Sequence, residues 1–283
     1  MSENPYVDWI GRRQEAHDHL SASLIRRIAA TLSHPAPAPG DPLPPLWHWA
    51  FFEEAVPEAG LGEDGHPKRG GFLPSAEVAS GTLYSNRMWA GSRVEFLAPL
   101  VVGEEAHRRT VLSRLEEKQG RTGSLLFVTL EHELECRGEI AIREIQNLVY
   151  REPTSPKLEG SGESPAADWQ ETVVPTETLL FRFSAVTFNS HRIHYDWPYV
   201  TEKEGYPGLV VHGPLLAIVT LRAFQRAHPD AKLRSFACRG VRPLIAPKPF
   251  QVAGRVSGDG KAELWAGDET GPAQTSEVTF EHA

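Results

Sequence analysis

The residues best suited to chemistry in this sequence lie together, in residues 181–217. This stretch carries three imidazoles, an amide, a carboxylate and a guanidinium, and it runs into a strongly apolar segment. The side chains are those of Asn189, His191, Arg192, His194, Asp196 and His212. Histidine suits proton transfer because its ordinary pKa, about 6.5, lies close to neutrality. We therefore predict an acid–base site here; the alternative is that the histidines are structural hydrogen-bonding residues.

Residues 215–224 form the apolar segment, LLAIVTLRAF, and it predicts a buried helix, since a helix that is apolar on nearly every side is usually covered on all sides. Pro214 suits the first helical turn, where its missing N–H costs nothing. Gly213 permits a close approach to amides that have no partner within the helix and that lie at the positive end of its dipole. Such amides can stabilise an oxyanion. The alternative is a plain helix cap.

The spacing of the polar residues restricts the chemistry further. Asn189 and His194 are five residues apart, so they converge only if the chain between them is a loop or an irregular turn. A metal site of His191, His194, His212 and Asp196 is a rival interpretation, but no H-x-x-x-H or Cys-rich spacing occurs, and we predict no metal. Neither G-x-x-x-x-G-K-[ST] nor G-x-G-x-x-G occurs, which argues against nucleotide hydrolysis and dinucleotide redox chemistry.

The same run resembles the motif of the MaoC-like, (R)-specific enoyl-CoA hydratase and 3-hydroxyacyl-thioester dehydratase type 2 family. That motif reads approximately S-x-D-x-N-P-x-H-x-D, followed by V-H-G at a helix start. Without gaps, its Asp falls on Asn189, its Asn on His191, its Pro on Arg192, its His on His194, its last Asp on Asp196 and its V-H-G on residues 211–213. The resemblance implies that the first acid and the His activate a water while the Gly amide holds a thioester carbonyl. Because Asn189 cannot act as a base, the water's proton must pass to His194 or to another group.

The form T-F-N-x-H-R-I-H-Y-D is similar to the type 2 dehydratase branch that includes mesaconyl-C4-CoA and itaconyl-CoA hydratases, as are residues 62–72 and 87–91. The resemblance implies a hydratase for an acyl-CoA thioester that needs no cofactor, coenzyme A being part of the substrate. It implies catalytic roles for Asn189, His194 and Gly213. Substrate-binding roles are expected for Arg87, Trp89, His191, Arg192, Tyr195 and His212, with Arg192 facing a second carboxylate or pairing with Asp196. A fatty-acid-type dehydratase, a non-catalytic acyl-CoA-binding module and a thioesterase remain alternatives.

A local excess of basic residues lies between residues 221 and 248. It could form a solvated face or grip the phosphates of coenzyme A, for which Arg has suitable geometry. The phosphate-binding candidates are Arg222, Arg239, Arg242 and Lys248.

Composition limits the function classes. The chain has 283 residues, 40% hydrophobic and 23% charged, which is typical of a soluble globular protein. A formal net charge of −8 argues against nonspecific nucleic-acid binding. Two cysteines and the lack of a long apolar run or signal-peptide core predict a reducing, cytoplasmic setting without a membrane segment. We expect a homodimer.

Periodicity and turn residues predict an α+β chain with two similar halves. A helical segment with a Pro-rich connector is expected at 1–45, one half at 46–152, a linker at 153–168 and the second half at 169–283. The resemblance implies a double hot-dog, two antiparallel sheets wrapped around central helices, of which the first is degenerate. The individual predictions are helix at 9–32 and at 215–224, and strands at 46–52, 93–96, 107–119, 124–136, 139–150, 177–183, 233–242, 250–257, 261–267 and 275–281.

Overall fold

The described residues of the chain contain ten strands, all in one antiparallel sheet. The computed structural model describes residues 6–75, 84, 86–120, 123–152, 155–160 and 162–282. The strands are β1 (Arg13–His19), β2 (Asn86–Phe96), β3 (Glu105–Gly120), β4 (Gly123–Cys136), β5 (Glu139–Arg151), β6 (Trp169–Val173), β7 (Ala231–Gly240), β8 (Phe250–Gly258), β9 (Lys261–Asp268) and β10 (Gly271–His282). The α-helices are α1 (Ala22–Thr31), α2 (Glu177–Val186) and α3 (Gly213–Ala227).

The strand order repeats. One half of the sheet runs β1-β3-β4-β5-β2, and the other, read from its outer edge, runs β6-β8-β9-β10-β7. The two halves meet where β2 pairs with β7, from Gly91 opposite Arg239 to Glu95 opposite Ser235. Two sheets of the same topology are thus continuous through one strand pair, and hydrogen bonding couples the halves.

Helix α3 is the buried centre of the second half. Its first turn contains Pro214, and Leu215, Ala217 and Phe224 are fully buried. The helix packs against β6, β8 and β9. This confirms the helix predicted at 215–224, because its apolar residues are covered by the sheet on one side and by other core residues on the other. No helix among the described residues is long and apolar enough to span a membrane.

Most of the predicted strands are confirmed with small shifts of their ends, among them the meander of β3, β4 and β5. The turn predicted at 120–123 lies partly outside the described residues, as does the linker at 153–168. Alternation of buried and exposed side chains in β4 explains why the sequence pattern was informative there.

Three predictions were wrong. Residues 13–19 form the edge strand β1 rather than helix, since pairing with β3 decides the conformation of a polar sequence with no apolar face. Residues 46–52, predicted as a strand, contain the 3-10 turn Trp47–Ala50. Residues 177–183 belong to helix α2, which Thr176 caps by accepting a hydrogen bond from the Leu179 amide. A short apolar run cannot separate strand from helix by periodicity alone.

A bulge in β2 sets the position of Trp89. The pairing of β2 with β5 shifts register between Trp89 and Gly91. Gly91 has a φ of 144°, and a Cβ there would lie 2.1 Å from the Cys238 carbonyl oxygen. Only glycine fits this close approach. The bulge lies at the junction of the two halves.

Phe236 provides a test of the coupling between the halves. It is fully buried on β7, opposite the equally buried Val94 of β2. We expect Phe236→Ala to lower the free energy of unfolding by about 3–5 kcal/mol, with one cooperative denaturant transition. Phe181→Ala, at a side chain that is 64% exposed, should change it by less than about 0.5 kcal/mol. A separate transition for each half would contradict the coupling.

Candidate active site

A cleft of about 1960 Å³ is lined by residues from both halves of the chain. The second half contributes Asn189, His191, His194 and Gly213, and the first half contributes Arg87 and Trp89 among others. The structure therefore brings together six residues that the sequence predicted for the site. Tyr195 and Arg239 also line this cleft.

The backbone after α2 turns the motif residues into the cleft. Phe188 has a positive φ of 48°, and the Asn189 amide donates to the Ser184 carbonyl at 2.9 Å. The Asn189 Oδ1 atom accepts a hydrogen bond from the His191 amide at 3.0 Å. A single 3-10 turn, Arg192–His194, follows. This irregular geometry is what the five-residue spacing of Asn189 and His194 required.

His194 is held in one orientation by two contacts. Its Nδ1 atom lies 2.7 Å from the Val210 carbonyl oxygen, so Nδ1 carries the proton and Nε2 keeps its lone pair. Its ring stacks on that of His212, with centroids 3.6 Å apart and planes 18° apart. Burial lowers the pKa of His194 to about 4, although the bond to Val210 favours the protonated form. At neutral pH this imidazole is a neutral hydrogen-bond acceptor.

His212 supports His194 from within the core. It is completely buried, and its Nε2 atom lies 2.8 Å from the Ser184 hydroxyl. Burial and the neighbouring His194 hold the pKa of His212 well below its usual range. His212 is not among the described residues that line the cleft. It contacts Ser184 and His194, and would not touch a substrate bound in the cleft.

Gly213 is the first residue of α3, and its amide therefore has no partner within the helix. Its carbonyl accepts a hydrogen bond from the Gln274 side chain at 2.9 Å, which fixes the peptide. Trp89 covers this residue so closely that a Cβ would lie 2.7 Å from the indole. Trp49 packs edge-on against Trp89 and donates to the buried carboxylate of Glu144. The first half thus builds a rigid aromatic wall over the helix start.

Sequence reasoning missed two residues of the site, Asp64 and His66. Asp64 Oδ2 lies 2.9 Å from His66 Nδ1, and the His66 ring lies 4.1 Å from that of His191. Their loop docks on the motif, where the Ser190 hydroxyl donates to the Gly65 carbonyl. The Gly-rich loop of the sequence signalled a special backbone, but it lies some 125 residues from the motif, so only the fold brings them together.

Asp64, His66 and His191 are also the group with the spacing of metal ligands. In the described part of the chain, they are the one set of three such residues whose ligand atoms all lie within 4.8 Å of one another. The Asp64 and His66 atoms are hydrogen-bonded to each other, however, and the charge of Arg87 acts on both imidazoles. Nearby positive charge favours an anion over a cation. The four residues of the rival metal set do not form such a group, since Asp196 pairs with Arg192.

Arg192 lies outside the lining of the cleft as described. Its guanidinium binds Asp196 at 2.7–2.8 Å and stacks on Tyr199, with 4.2 Å to the ring centroid. It also donates to the Glu63 carbonyl. The structure therefore places Arg192 in the ion pair that the sequence left as an alternative. The Tyr195 hydroxyl donates to the Ser190 carbonyl at 3.0 Å.

The four basic candidates lie in different surroundings. Arg222 donates to the carbonyl oxygens of Leu32 and Ser33, away from the cleft lining. Arg242 forms a buried ion pair with Asp268 at 2.6 Å, and Lys248 binds Glu269. Arg239 is exposed at the cleft and forms no ion pair with any residue that the structure describes. Only Arg239 combines an open position with a free charge.

Comparisons with known proteins identify the family and the fold. A family model for hydroxyacyl-thioester dehydratase type 2 matches residues 46–246. The mesaconyl-C(4)-CoA hydratase of Chloroflexus aurantiacus is 43% identical over 264 residues, 92% of this chain and 92% of that protein. HtdX of Mycobacterium tuberculosis matches 94% of this chain and 99% of its own with a TM-score of 0.67 and 18% identity. A second M. tuberculosis protein, described as a double hot-dog, matches 97% and 96% with a TM-score of 0.57 and 11% identity. These structures confirm the double hot-dog fold.

The buried neutral imidazoles predict acid sensitivity. The pKa of His194 is about 4 when folded and about 6.5 when unfolded, so the unfolded chain binds more protons between these values. The free energy of unfolding should therefore fall as the pH falls from 6.5 to 4, with each such group contributing a slope of up to about 1.4 kcal/mol per pH unit. Denaturant titrations across this range should show a shallower slope for His194→Gln than for the wild type. The exposed His282→Gln should match the wild type, and equal slopes for all three proteins would contradict the burial argument.

Proposed function

We propose that this chain, which belongs to the hydroxyacyl-thioester dehydratase type 2 family, is a hydratase for a short dicarboxylic acyl-CoA. It would add water across the α,β double bond of mesaconyl-C4-CoA, or across the β,γ double bond of itaconyl-CoA, to give citramalyl-CoA. The 43% identity to a mesaconyl-C(4)-CoA hydratase supports this substrate class. The reaction needs no cofactor beyond the coenzyme A of the substrate.

One observation carries the proposal. A base and an oxyanion donor are the two groups that conjugate addition to a thioester requires. Two residues of the same cleft supply these groups: His194, whose neutral imidazole keeps its lone pair on Nε2, and Gly213, whose amide begins a helix.

The proposed reaction uses these groups in order. His194 Nε2 takes a proton from water as the water oxygen bonds to the β carbon. The electrons of the double bond move toward the thioester carbonyl, whose developing negative charge is held by the Gly213 amide and the dipole of α3. Protonation of the α carbon completes the addition. Asn189 is placed to orient the water through its free amide hydrogens, because its oxygen already accepts from His191.

One part of the cleft lining is polar. It contains buried or half-buried polar side chains of the first half: His48, Arg108, Thr110, His132 and Glu144. Most of these groups are already paired with one another, His48 with Glu144 at 3.0 Å and Thr110 with His132 at 2.8 Å. Since Arg192 is engaged by Asp196, we assign the second carboxylate of the substrate to Arg87, which lines the cleft beside His66 and His191. Arg239 is the cation best placed for a phosphate of coenzyme A.

A dehydratase acting on longer 3-hydroxyacyl thioesters is the second candidate, because the family model carries that description. A non-catalytic acyl-CoA-binding module is the third, since the motif acid is replaced by Asn189. A homodimer in the cytoplasm remains our expectation for the assembled protein and its location.

The function is tested with a panel of crotonyl, mesaconyl-C4 and itaconyl thioesters. Turnover is measured as loss of enoyl-thioester absorbance for the two conjugated thioesters and as formation of citramalyl-CoA for the itaconyl thioester. We expect the dicarboxylic substrates to be preferred and His194→Ala to lower kcat by about 10²–10⁴-fold, the usual contribution of an acid–base group. Asn189→Ala should cause a smaller loss. The exposed His282→Ala serves as the matched control.

Each alternative has its own result in this panel. Turnover of His194→Ala and Asn189→Ala close to that of the wild type would end the assignment. A preference for long aliphatic chains would favour the dehydratase, saturable coenzyme A binding without turnover the binding module, and release of free thiol a thioesterase.

Gly213→Ala tests the oxyanion amide. The added methyl group would clash with Trp89 at 2.7 Å, so the amide or the indole must move. We expect a fall in kcat of about a hundredfold or more, as for removal of one oxyanion donor. Gly258→Ala, where the space around a Cβ is open, is the matched control and should retain activity. Undiminished kcat in Gly213→Ala would contradict the assignment of this amide.

A further inference from the structure

Hydration requires two proton transfers: a base takes one proton from water, and the α carbon receives one. His194 becomes an imidazolium when it takes the proton of the water, and because burial disfavours that form it releases the proton readily, either to the α carbon or to solvent. Asn189 cannot donate an acidic proton. His212 does not line the cleft, and Arg192 is bound to Asp196. A donor other than His194 would therefore be one of the remaining residues of the cleft.

The Asp64–His66 pair has the geometry of an oriented acid–base group. Asp64 Oδ2 lies 2.9 Å from His66 Nδ1, and Asp64 Oδ1 accepts from the His66 amide at 3.0 Å. The carboxylate thus fixes both the ring and its backbone. With Nδ1–H directed to Asp64, the Nε2 atom of His66 is the one that can carry and release a proton. A carboxylate in this position also stabilises the imidazolium form.

The loop that carries this pair is fixed to the motif by backbone contacts. The Arg192 amide donates to the Asp64 carbonyl at 2.9 Å, and the Ser190 hydroxyl donates to the Gly65 carbonyl. Gly65 has a φ of 85°, and a Cβ there would lie 2.0 Å from the Ser190 carbonyl oxygen. These hydrogen bonds therefore hold the first half of the chain against the second beside the contact between the His66 and His191 rings.

The surroundings of the two imidazoles differ. His66 is faced by Asp64, Arg87, Arg69 and His191: burial and the Arg87 charge lower its pKa below 6.5, while Asp64 raises it in part. Burial raises the pKa of Asp64, but the hydrogen bonds and charge of His66 outweigh this and hold it below its usual value. His194 has no carboxylate partner among the described contacts, and its pKa is about 4. The two imidazoles therefore differ in the group that holds Nδ1, which is a carboxylate for His66 and a backbone carbonyl for His194.

His191 is the less suitable donor. Burial, together with the charges of His66, His194, Arg87 and His212, holds its pKa well below the usual range, and no carboxylate binds its ring within the described contacts. The side chain of His66 also retains 18% of its exposure, so it can regain a proton from solvent.

We propose that His66, oriented by Asp64, is the general acid of the site and protonates the α carbon, an inference that rests on the proposed hydratase function. His194 Nε2 takes a proton from water, and the hydroxyl oxygen bonds to the β carbon. The electron pair of the double bond becomes the enolate, which then takes the proton from His66 Nε2. His194 returns its proton to solvent and His66 regains one, so one water is added in each cycle. Asp64 is a positioning residue.

The pH dependence of kcat/KM on an active enoyl-CoA tests the proposal. We expect His66→Gln to lower kcat by about a hundredfold or more, with little change in KM, and to remove the alkaline fall of the wild-type profile. Asp64→Asn removes the partner that raises the proton affinity of His66, so its alkaline fall should move to lower pH. His282→Gln and Asp259→Asn, both exposed and outside the cleft, are the matched controls. If His66→Gln is less thermostable than the wild type, the pH profile of Asp64→Asn decides the test, because Asn has the same shape as Asp and should not disturb the fold.

Three outcomes would overturn the proposal in distinguishable ways. A wild type that hydrates no enoyl-CoA in the panel removes the function and this inference together. An active wild type with His66→Gln and Asp64→Asn of unchanged kcat and unchanged pH profile removes the inference alone. Bound divalent metal in the purified wild type that is lost in His66→Gln, with activity abolished by chelator and restored by metal, would make Asp64, His66 and His191 a metal site instead.

Discussion

The hydrogen bond between His194 Nδ1 and the Val210 carbonyl is the interaction on which the site depends. It lets an imidazole be buried without charge, and it leaves the opposite nitrogen free to accept a proton. Val210 lies three residues before Gly213, so the short segment that leads into α3 positions both the base and the oxyanion amide. That segment is fixed in turn, because the Val210 amide donates to the Ile193 carbonyl and the Val211 amide to the Leu244 carbonyl.

The two halves share one topology but contribute different parts of the site. The second half holds the motif and the long buried helix α3, while the first half contributes the wall and the loop that complete the cleft. Trp89 reaches Gly213 because the β2 bulge turns it there, and Asp64 and His66 reach His191 because Gly65 permits a close backbone contact. Neither half alone contains all the groups that the proposed chemistry needs.

The sequence was most informative where local pattern and tertiary environment agree. Burial alternates along β4 of the meander, and residues 215–224 are apolar on nearly every side, so both were predicted correctly. Residues 13–19 and 177–183 were misread, because partner strands and a Thr176 cap decided their conformation. These determinants lie outside the windows that periodicity examines.

The same limit applies to the site. Asn189, His194 and Gly213 were predicted from one continuous stretch, and the structure places all three in the cleft. The partner of Arg192 was open between a substrate and Asp196, and the four-residue spacing alone could not decide it. Asp64 and His66 could not be predicted as site residues, because their position in the site depends on a contact between segments that are distant in the sequence.

The account is tested most directly by a crystal structure with the saturated counterpart of mesaconyl-C4-CoA, which cannot be hydrated. The account predicts the thioester oxygen at about 2.7–3.1 Å from the Gly213 nitrogen, with the β carbon on the side of His194 Nε2. A thioester bound with its carbonyl directed away from Gly213, or outside the cleft, would contradict it.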